Sequence, residues 1–230
     1  MSHNFCNLAQ LRIWSENELN TRDHAQSHLT QVVPNALKKV NAAWKFTRVE
    51  APCVLPRNML SDAYTSDDIW LTQVTRAEQL FALRSETTPA TYAAIHALHP
   101  RLALKPPHAF WQVGKSWRQE PPSKSSRLRF FEFTQLEFQC LYSPETKADY
   151  RERIMPTLEK ELSWLCRAEA RVVPSDRIPS YALSTLDVEV KHNKEWREVA
   201  SVSIRTDFDP SLLNLEIAIG LDRIAVIANS

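Results

Sequence analysis

The chain is expected to fold as an α+β domain, an antiparallel β-sheet flanked by helices. Three observations predict this. Segments with the two-residue alternation of strands are joined by turn signals short enough for hairpins. Stretches of helical apolar spacing precede, separate and follow those segments. No regular strand–helix–strand alternation of a parallel sheet runs through the chain. With 230 residues, 43% hydrophobic and 24% charged, one core can be built. Residues 1–30 read as an N-terminal lead-in and 31–230 as a single domain.

The lead-in is polar and rich in Asn, Gln and His, irregular or helical. Val33, Leu37, Val40 and Ala43 then fall at helical spacing. Residues 44–50 alternate like a strand and run into Pro52. Residues 77–83 read as a strand, and 89–98 as a helix with Pro89 in its first turn. Residues 109–118 and 128–141 read as two strands joined by a loop holding Pro121, Pro122 and three serines. Residues 145–170 read as one charged amphipathic helix. Residues 184–190 and 196–205 are two further strands, with a turn at His192-Asn193-Lys194. Residues 212–227 read as a strand that breaks at Gly220 and enters a helix.

Composition bounds the function classes. The net charge of +1 advertises no global nucleic-acid field, although Lys115, Arg118, Lys124, Arg127 and Arg129 cluster. Cys6, Cys53, Cys140 and Cys166 are far apart, with no zinc-type spacing. No signal-peptide pattern and no apolar run near ~18 residues occurs, so a soluble cytoplasmic protein is expected, without a membrane. The chain has only two glycines, where average usage predicts roughly 16. Those two therefore point to places of close approach.

Each glycine sits beside an arginine. Gly114 precedes Lys115-Ser116-Trp117-Arg118-Gln119-Glu120, and the chain returns through Arg129 and Phe133. This is a hairpin bearing arginines, an aromatic ring and carboxylates. The guanidinium fork suits a phosphate, and a ring beside it can stack on a purine. Gly220 precedes Arg223 at a strand-to-helix junction, where N-terminal amides also favour phosphate. No Ser/His/Asp or Cys/His arrangement for nucleophilic catalysis is present.

These blocks resemble motifs 2 and 3 of the class II aminoacyl-tRNA synthetases, and most of all the glycyl-tRNA synthetase catalytic domain. Gln112 to Glu120 with Arg129 to Glu137 resembles motif 2. Glu216 to Arg223 resembles motif 3. Leu83-Arg84-Ser85-Glu86-Thr87, Asp187-Val188-Glu189, Trp196-Arg197-Glu198 and Arg205-Thr206-Asp207-Phe208-Asp209 mirror further blocks in family order. The segment 33–52 resembles motif 1, the dimer-forming element, so a homodimer is implied.

The resemblance implies ATP-dependent activation of a small amino acid, glycine foremost, and transfer to a tRNA or another acceptor such as a carrier-protein thiol. Arg118 would hold the α-phosphate and Arg223 the γ-phosphate, with Arg129 assisting. Phe133 would stack under adenine, Glu120 would accept from its amino group, and Gly220 would belong to the same ATP site. Glu86, Glu137 and Glu216 would surround the substrate ammonium, with Ala218 beside them. Glu198 would be the foremost Mg²⁺ ligand, with Asp187 and Glu189 behind it.

Departures from the family pattern bear on the outcome. Ala218 and Ile217 stand where a serine and a proline are expected, Ser201 where a glycine is, and Ser85 where a proline is. Only six residues separate Asp209 from Glu216, and an anticodon-binding domain is not expected after Arg223. The same fold serves as an accessory subunit of mitochondrial DNA polymerase. A non-catalytic paralogue that acts as a binding or accessory subunit is therefore the competing expectation.

Overall fold

The structure, a computed structural model, describes residues 12–60, 69–73, 80–102, 105–119, 128–146, 149–176 and 178–230. The first helix, α1 (Glu16–Val40), begins at a capping box. Ser15 Oγ accepts from the Glu18 amide at 3.3 Å, and the Ser15 amide donates to Glu18 Oε2 at 2.9 Å. Such a cap contributes roughly 0.5–2 kcal/mol. Ala25, Leu29, Val33 and Leu37, four residues apart, are buried along one stripe. The helix therefore runs through residue 30, where the lead-in was expected to give way to the domain; the stripe read from Val33 onward starts two turns earlier.

The strands follow as β1 (Lys45–Arg48), β2 (Val54–Pro56), β3 (Leu71–Gln73) and β4 (Leu80–Leu83), then helix α2 (Thr88–Leu102). A long hairpin comes next, β5 (His108–Trp117) and β6 (Glu132–Tyr142). Helix α3 (Tyr150–Cys166) stops at Arg167, whose φ of 52° is left-handed. The expected helix over 145–170 is thus shorter, and the chain turns directly into an unexpected strand, β7 (Ala170–Pro174). The hairpin β8 (Ala182–His192) and β9 (Glu195–Arg205), strand β10 (Leu213–Gly220) and helix α4 (Leu221–Ala228) complete the order.

Seven strands form one sheet, ordered β1-β5-β6-β10-β9-β8-β7, and β2-β4-β3 form a small second sheet. The large sheet is antiparallel except at one edge, where β1 pairs with β5 in parallel. A parallel pair needs a long crossover, and the small sheet with α2 supplies it. The turn between β8 and β9 places Asn193 and Lys194 at φ of 50° and 67°, the twist a two-residue hairpin requires. Neither glycine has a positive φ.

The large sheet has two unlike faces because its strands alternate. Leu136, Phe138, Cys140, Val202, Leu215, Ile217 and Ile219 form one core with α1, α3 and α4. The opposite face is polar yet largely buried. Register places Gln112, Glu137, Ala218, Ser201 and Asp187 in one row across five strands. The next row is Phe110, Gln139, Glu216, Ser203 and Thr185. The segment 84–91, which leads into α2, crosses this polar face. No helix among the described residues is long and apolar enough to cross a membrane.

Candidate active site

Two adjoining subsites occupy the polar face. The first is a cleft lined by Arg118, Arg129, Phe133, Glu198, Gly220 and Arg223, among others. Arg118 leaves the end of β5, its Nε donates to Ser85 O at 3.0 Å, and its guanidinium lies 5.1 Å from the Phe133 ring centre. Phe133, opposite Ser116, points to the same face as Gln135 and Glu137. Arg223, in the first turn of α4, donates from Nη1 to Glu198 O at 2.7 Å and from Nε to Leu128 O at 3.3 Å. Its Nη1 is also 3.5 Å from the Glu198 carboxylate. The buried Asp222 accepts the Thr134 amide at 2.7 Å and pairs with Arg22 at 3.3 Å, which ties α1, α4 and β6 together behind the cleft. Glu120 lies outside the described residues.

Gly114 holds a close approach. A Cβ there would lie 2.2 Å from Nη2 of Arg84. Arg84 is buried, and donates to Lys115 O at 2.8 Å, Ala51 O at 2.9 Å, Pro52 O at 3.2 Å and Gln112 Oε1 at 3.3 Å. One guanidinium thus fastens the loop after β1 to β5. At Gly220 a Cβ would meet Val199 O at 3.4 Å, an ordinary contact.

The second subsite is a cluster of buried carboxylates. Glu86, Glu137 and Glu216 are each no more than 5% exposed. Thr88 Oγ1 lies 2.7 Å from Glu137 Oε1 and 2.7 Å from Glu216 Oε2. Gln139 Nε2 reaches Thr88, Glu137 and Glu216 at 2.8–3.0 Å, and Gln135 donates to Glu137 Oε2 at 2.7 Å. Arg205, 1% exposed, pairs with Glu216 at 2.6 Å and faces Glu86 at 3.6 Å. Its Nε and Nη2 grip Asp207 at 3.0 and 2.6 Å. The Tyr181 ring lies 3.6 Å beneath the guanidinium, and its hydroxyl donates to Glu86 at 3.4 Å. Burial, with Glu216 and Glu86 nearby, pushes the Glu137 carboxyl up to about 7. Ala218 pairs with Glu137 on one side and Ser201 on the other, so it stands where the two subsites meet.

The carboxylates expected to offer a metal ligand do not assemble into a cage. Asp187, Glu189 and Glu198 share the polar face of β8 and β9. Glu189, however, is engaged by Arg171 at 2.6 Å, and burial, with Glu198 and Glu189 adding repulsion, raises Asp187 to about 6. Among the described residues no group of three or more His, Cys, Asp or Glu converges to hold a metal ion.

Three residues that build this cluster were not singled out from the sequence, Thr88, Gln139 and Asn214, and Arg205 was read there only as the start of a block, with no role of its own. Asn214 Nδ2 donates to Gln139 Oε1 at 2.6 Å and to the Tyr92 hydroxyl at 2.7 Å. A signal existed. Gln135, Glu137 and Gln139, and likewise Asn214 and Glu216, are polar at every second position of otherwise apolar strands. That is the pattern of a sheet with one polar buried face.

No protein-family model matches the chain. The glycine–tRNA ligase of Mycobacterium bovis is 28% identical over 152 residues, 62% of this chain and 32% of that protein. The glycine–tRNA ligase of Macrococcus caseolyticus is 32% identical over 133 residues, 55% of this chain and 28% of that protein. The chain thus spans about a third of the length of these curated relatives. Among solved structures, prolyl-tRNA synthetase of Cryptosporidium parvum with halofuginone and AMPPNP superposes with a TM-score of 0.74. That match covers 97% of this chain and 48% of the other, at 13% identity. In fold and in sequence, the chain is similar to the catalytic domain of the class II aminoacyl-tRNA synthetases, with glycine–tRNA ligases among its sequence relatives.

Proposed function

We propose that the chain is an aminoacyl-tRNA synthetase-like ligase that joins a small amino acid, glycine foremost, to the α-phosphate of ATP. The observation that carries this reading is the adjacency of the two subsites on one sheet face. Arg118, Arg223 and Phe133 line a cleft suited to a nucleotide triphosphate, and a buried carboxylate cluster suited to an ammonium lies directly beside it. An amino acid with its ammonium among Glu86, Glu137 and Glu216 would direct its carboxylate toward Ala218 and the cleft.

The reaction needs no protein nucleophile. A carboxylate oxygen attacks the α-phosphorus, the bond to pyrophosphate breaks, and a mixed anhydride forms. Arg118 would stabilise the charge that grows on the α-phosphate, and Arg223, with Arg129, would hold the outer phosphates. Glu86, Glu216 and Asp207 all face Arg205, and Glu137 stands beside them, so carboxylates exceed the arginine they pair with and leave negative charge for a cationic substrate.

The donor set fits Mg²⁺ borne on phosphate oxygens, not Mg²⁺ caged by protein alone. Mg²⁺ commonly takes one or two carboxylates with substrate phosphates, and Glu198, exposed at the cleft beside Arg223, is the carboxylate placed for it; Asp187 and Glu189 stand behind. The ion would neutralise phosphate charge. The activated amino acid would pass to a tRNA or another acceptor. The protein would work in the cytoplasm as a homodimer through the segment 33–52.

The test is amino-acid-dependent exchange of pyrophosphate into ATP, across all twenty amino acids, with and without tRNA. Exchange with one small amino acid, abolished by Arg118→Ala in a folded protein, supports the proposal. No exchange under either condition, with nucleotide still bound, moves the reading to a non-catalytic binding or accessory subunit.

A further inference from the structure

The hydrogen-bond count around Thr88 does not close with ionised carboxylates alone. A threonine hydroxyl has one hydrogen and two lone pairs. Thr88 Oγ1 nevertheless contacts Glu137 Oε1 and Glu216 Oε2, each at 2.7 Å, and Gln139 Nε2 at 2.9 Å. Its one hydrogen can go to one carboxylate only. The other oxygen, at the same short distance, must bring a hydrogen of its own.

Glu216 is not the carrier. Its Oε2 already accepts from Arg205 Nη1 at 2.6 Å, a short charge-assisted hydrogen bond. Glu137 has no cation in direct contact among the hydrogen bonds of its carboxyl. Its Oε1 meets Thr88 and Gln139, and its Oε2 meets Gln135. The charged and titratable groups around it are Arg84 just after β4, Glu86 ahead of α2, Tyr92 on α2, Tyr181 just before β8, Arg205 at the end of β9 with Asp207 just beyond it, and Glu216 on β10. Carboxylates outnumber the arginines that touch them.

On the amino-acid reading of this cluster, we propose that Glu137 stands in the free site as a neutral carboxylic acid sharing its proton with Thr88, and that the incoming ammonium expels that proton. In the free site Glu137 donates to Thr88 Oγ1 and Thr88 donates to Glu216, which gives each of the two 2.7 Å oxygen–oxygen contacts one hydrogen. The ammonium brings a positive charge and N–H donors to the same carboxylates. Glu137 then ionises, its proton leaves to solvent, and the ammonium hydrogen takes its place. Burial raises the Glu137 carboxyl in the direction this requires. Thr88 is a positioning residue: it sets which carboxyl holds the proton.

The experiment has two parts, both on the full chain. In the first, glutamate carboxyl ¹³C shifts of the ligand-free protein are titrated by NMR. One carboxyl is expected to titrate near neutrality, to vanish in Glu137→Gln and to shift in Thr88→Val. If every glutamate carboxyl titrates in the ordinary range, the proposal is overturned. In the second, glycine binding is measured by calorimetry in two buffers of different ionisation enthalpy. Below neutrality about one proton should be released per glycine, with affinity rising about tenfold per pH unit. Binding without proton release overturns the linkage and leaves the amino-acid reading standing. A titrating carboxyl with no binding of glycine or any other amino acid overturns both the linkage and that reading.

Discussion

Gly114→Ala should destabilise the fold through one residue, Arg84. The added methyl would lie 2.2 Å from Arg84 Nη2 and 3.1 Å from Thr87 Cγ2. A flexible side-chain tip can ordinarily swing away, but Arg84 is 2% exposed and held by four acceptors. Moving it costs about 1–3 kcal/mol in overpacking, and each charge-assisted bond lost adds roughly 1.5–3 kcal/mol. Replacing glycine inside a strand returns about 0.5–1 kcal/mol. The net loss is on the order of 2–4 kcal/mol, a large share of a typical stability of ~5–15 kcal/mol. Urea unfolding followed by tryptophan fluorescence reads it as a lower midpoint at unchanged slope. In an Arg84→Met background the same substitution should cost under ~1 kcal/mol, since the clashing tip is gone. Gly220→Ala, with its nearest neighbour at 3.4 Å, should cost under ~1 kcal/mol as a helix cap. A Gly114→Ala loss that is equal in both backgrounds would refute the argument.

Stability should depend on pH through two buried acids. Glu137 and Asp187 are raised on folding to about 7 and about 6, so the folded state binds their protons more tightly. The contribution is full below the ordinary carboxylate range and is lost as pH rises through those values. For Glu137 this amounts to roughly 3 kcal/mol. Urea midpoints should therefore fall between mildly acidic and neutral pH, and Glu137→Gln or Asp187→Asn should flatten that fall; an unchanged slope in both variants counts against their neutral forms. Light scattering at micromolar concentration should return a dimer mass, and a clean monomer would remove the motif 1 argument.

Much of the architecture was legible because its signals are local. The alternation of the strands, the Asn193-Lys194 turn and the strand-to-helix break at Gly220 depend on neighbours in sequence; the turn and the break appear at the expected place, the strand expected from 128 starts at Glu132, and residues 77–79 of the strand expected over 77–83 lie outside the described residues. The α1 boundary and β7 were not legible for the same reason inverted. The stripe through Ala25 and Leu29 lies within polar surroundings, and only packing against α3, α4 and the sheet reveals it. The end of α3 rests on Arg167 taking a left-handed conformation, which no glycine there announces.

The sequence alone determined that arginines, a ring and carboxylates stand in the order of a class II synthetase, since side-chain chemistry and spacing travel with the chain. The tertiary structure decided the rest. It turned Gly114 into clearance for Arg84, separated Glu189 toward Arg171, and drew Thr88, Gln139 and Arg205 around three glutamates. These groups come from α2, β6, β9 and β10, so only the register of the sheet could bring them together. What a buried carboxylate does depends on which donors reach it.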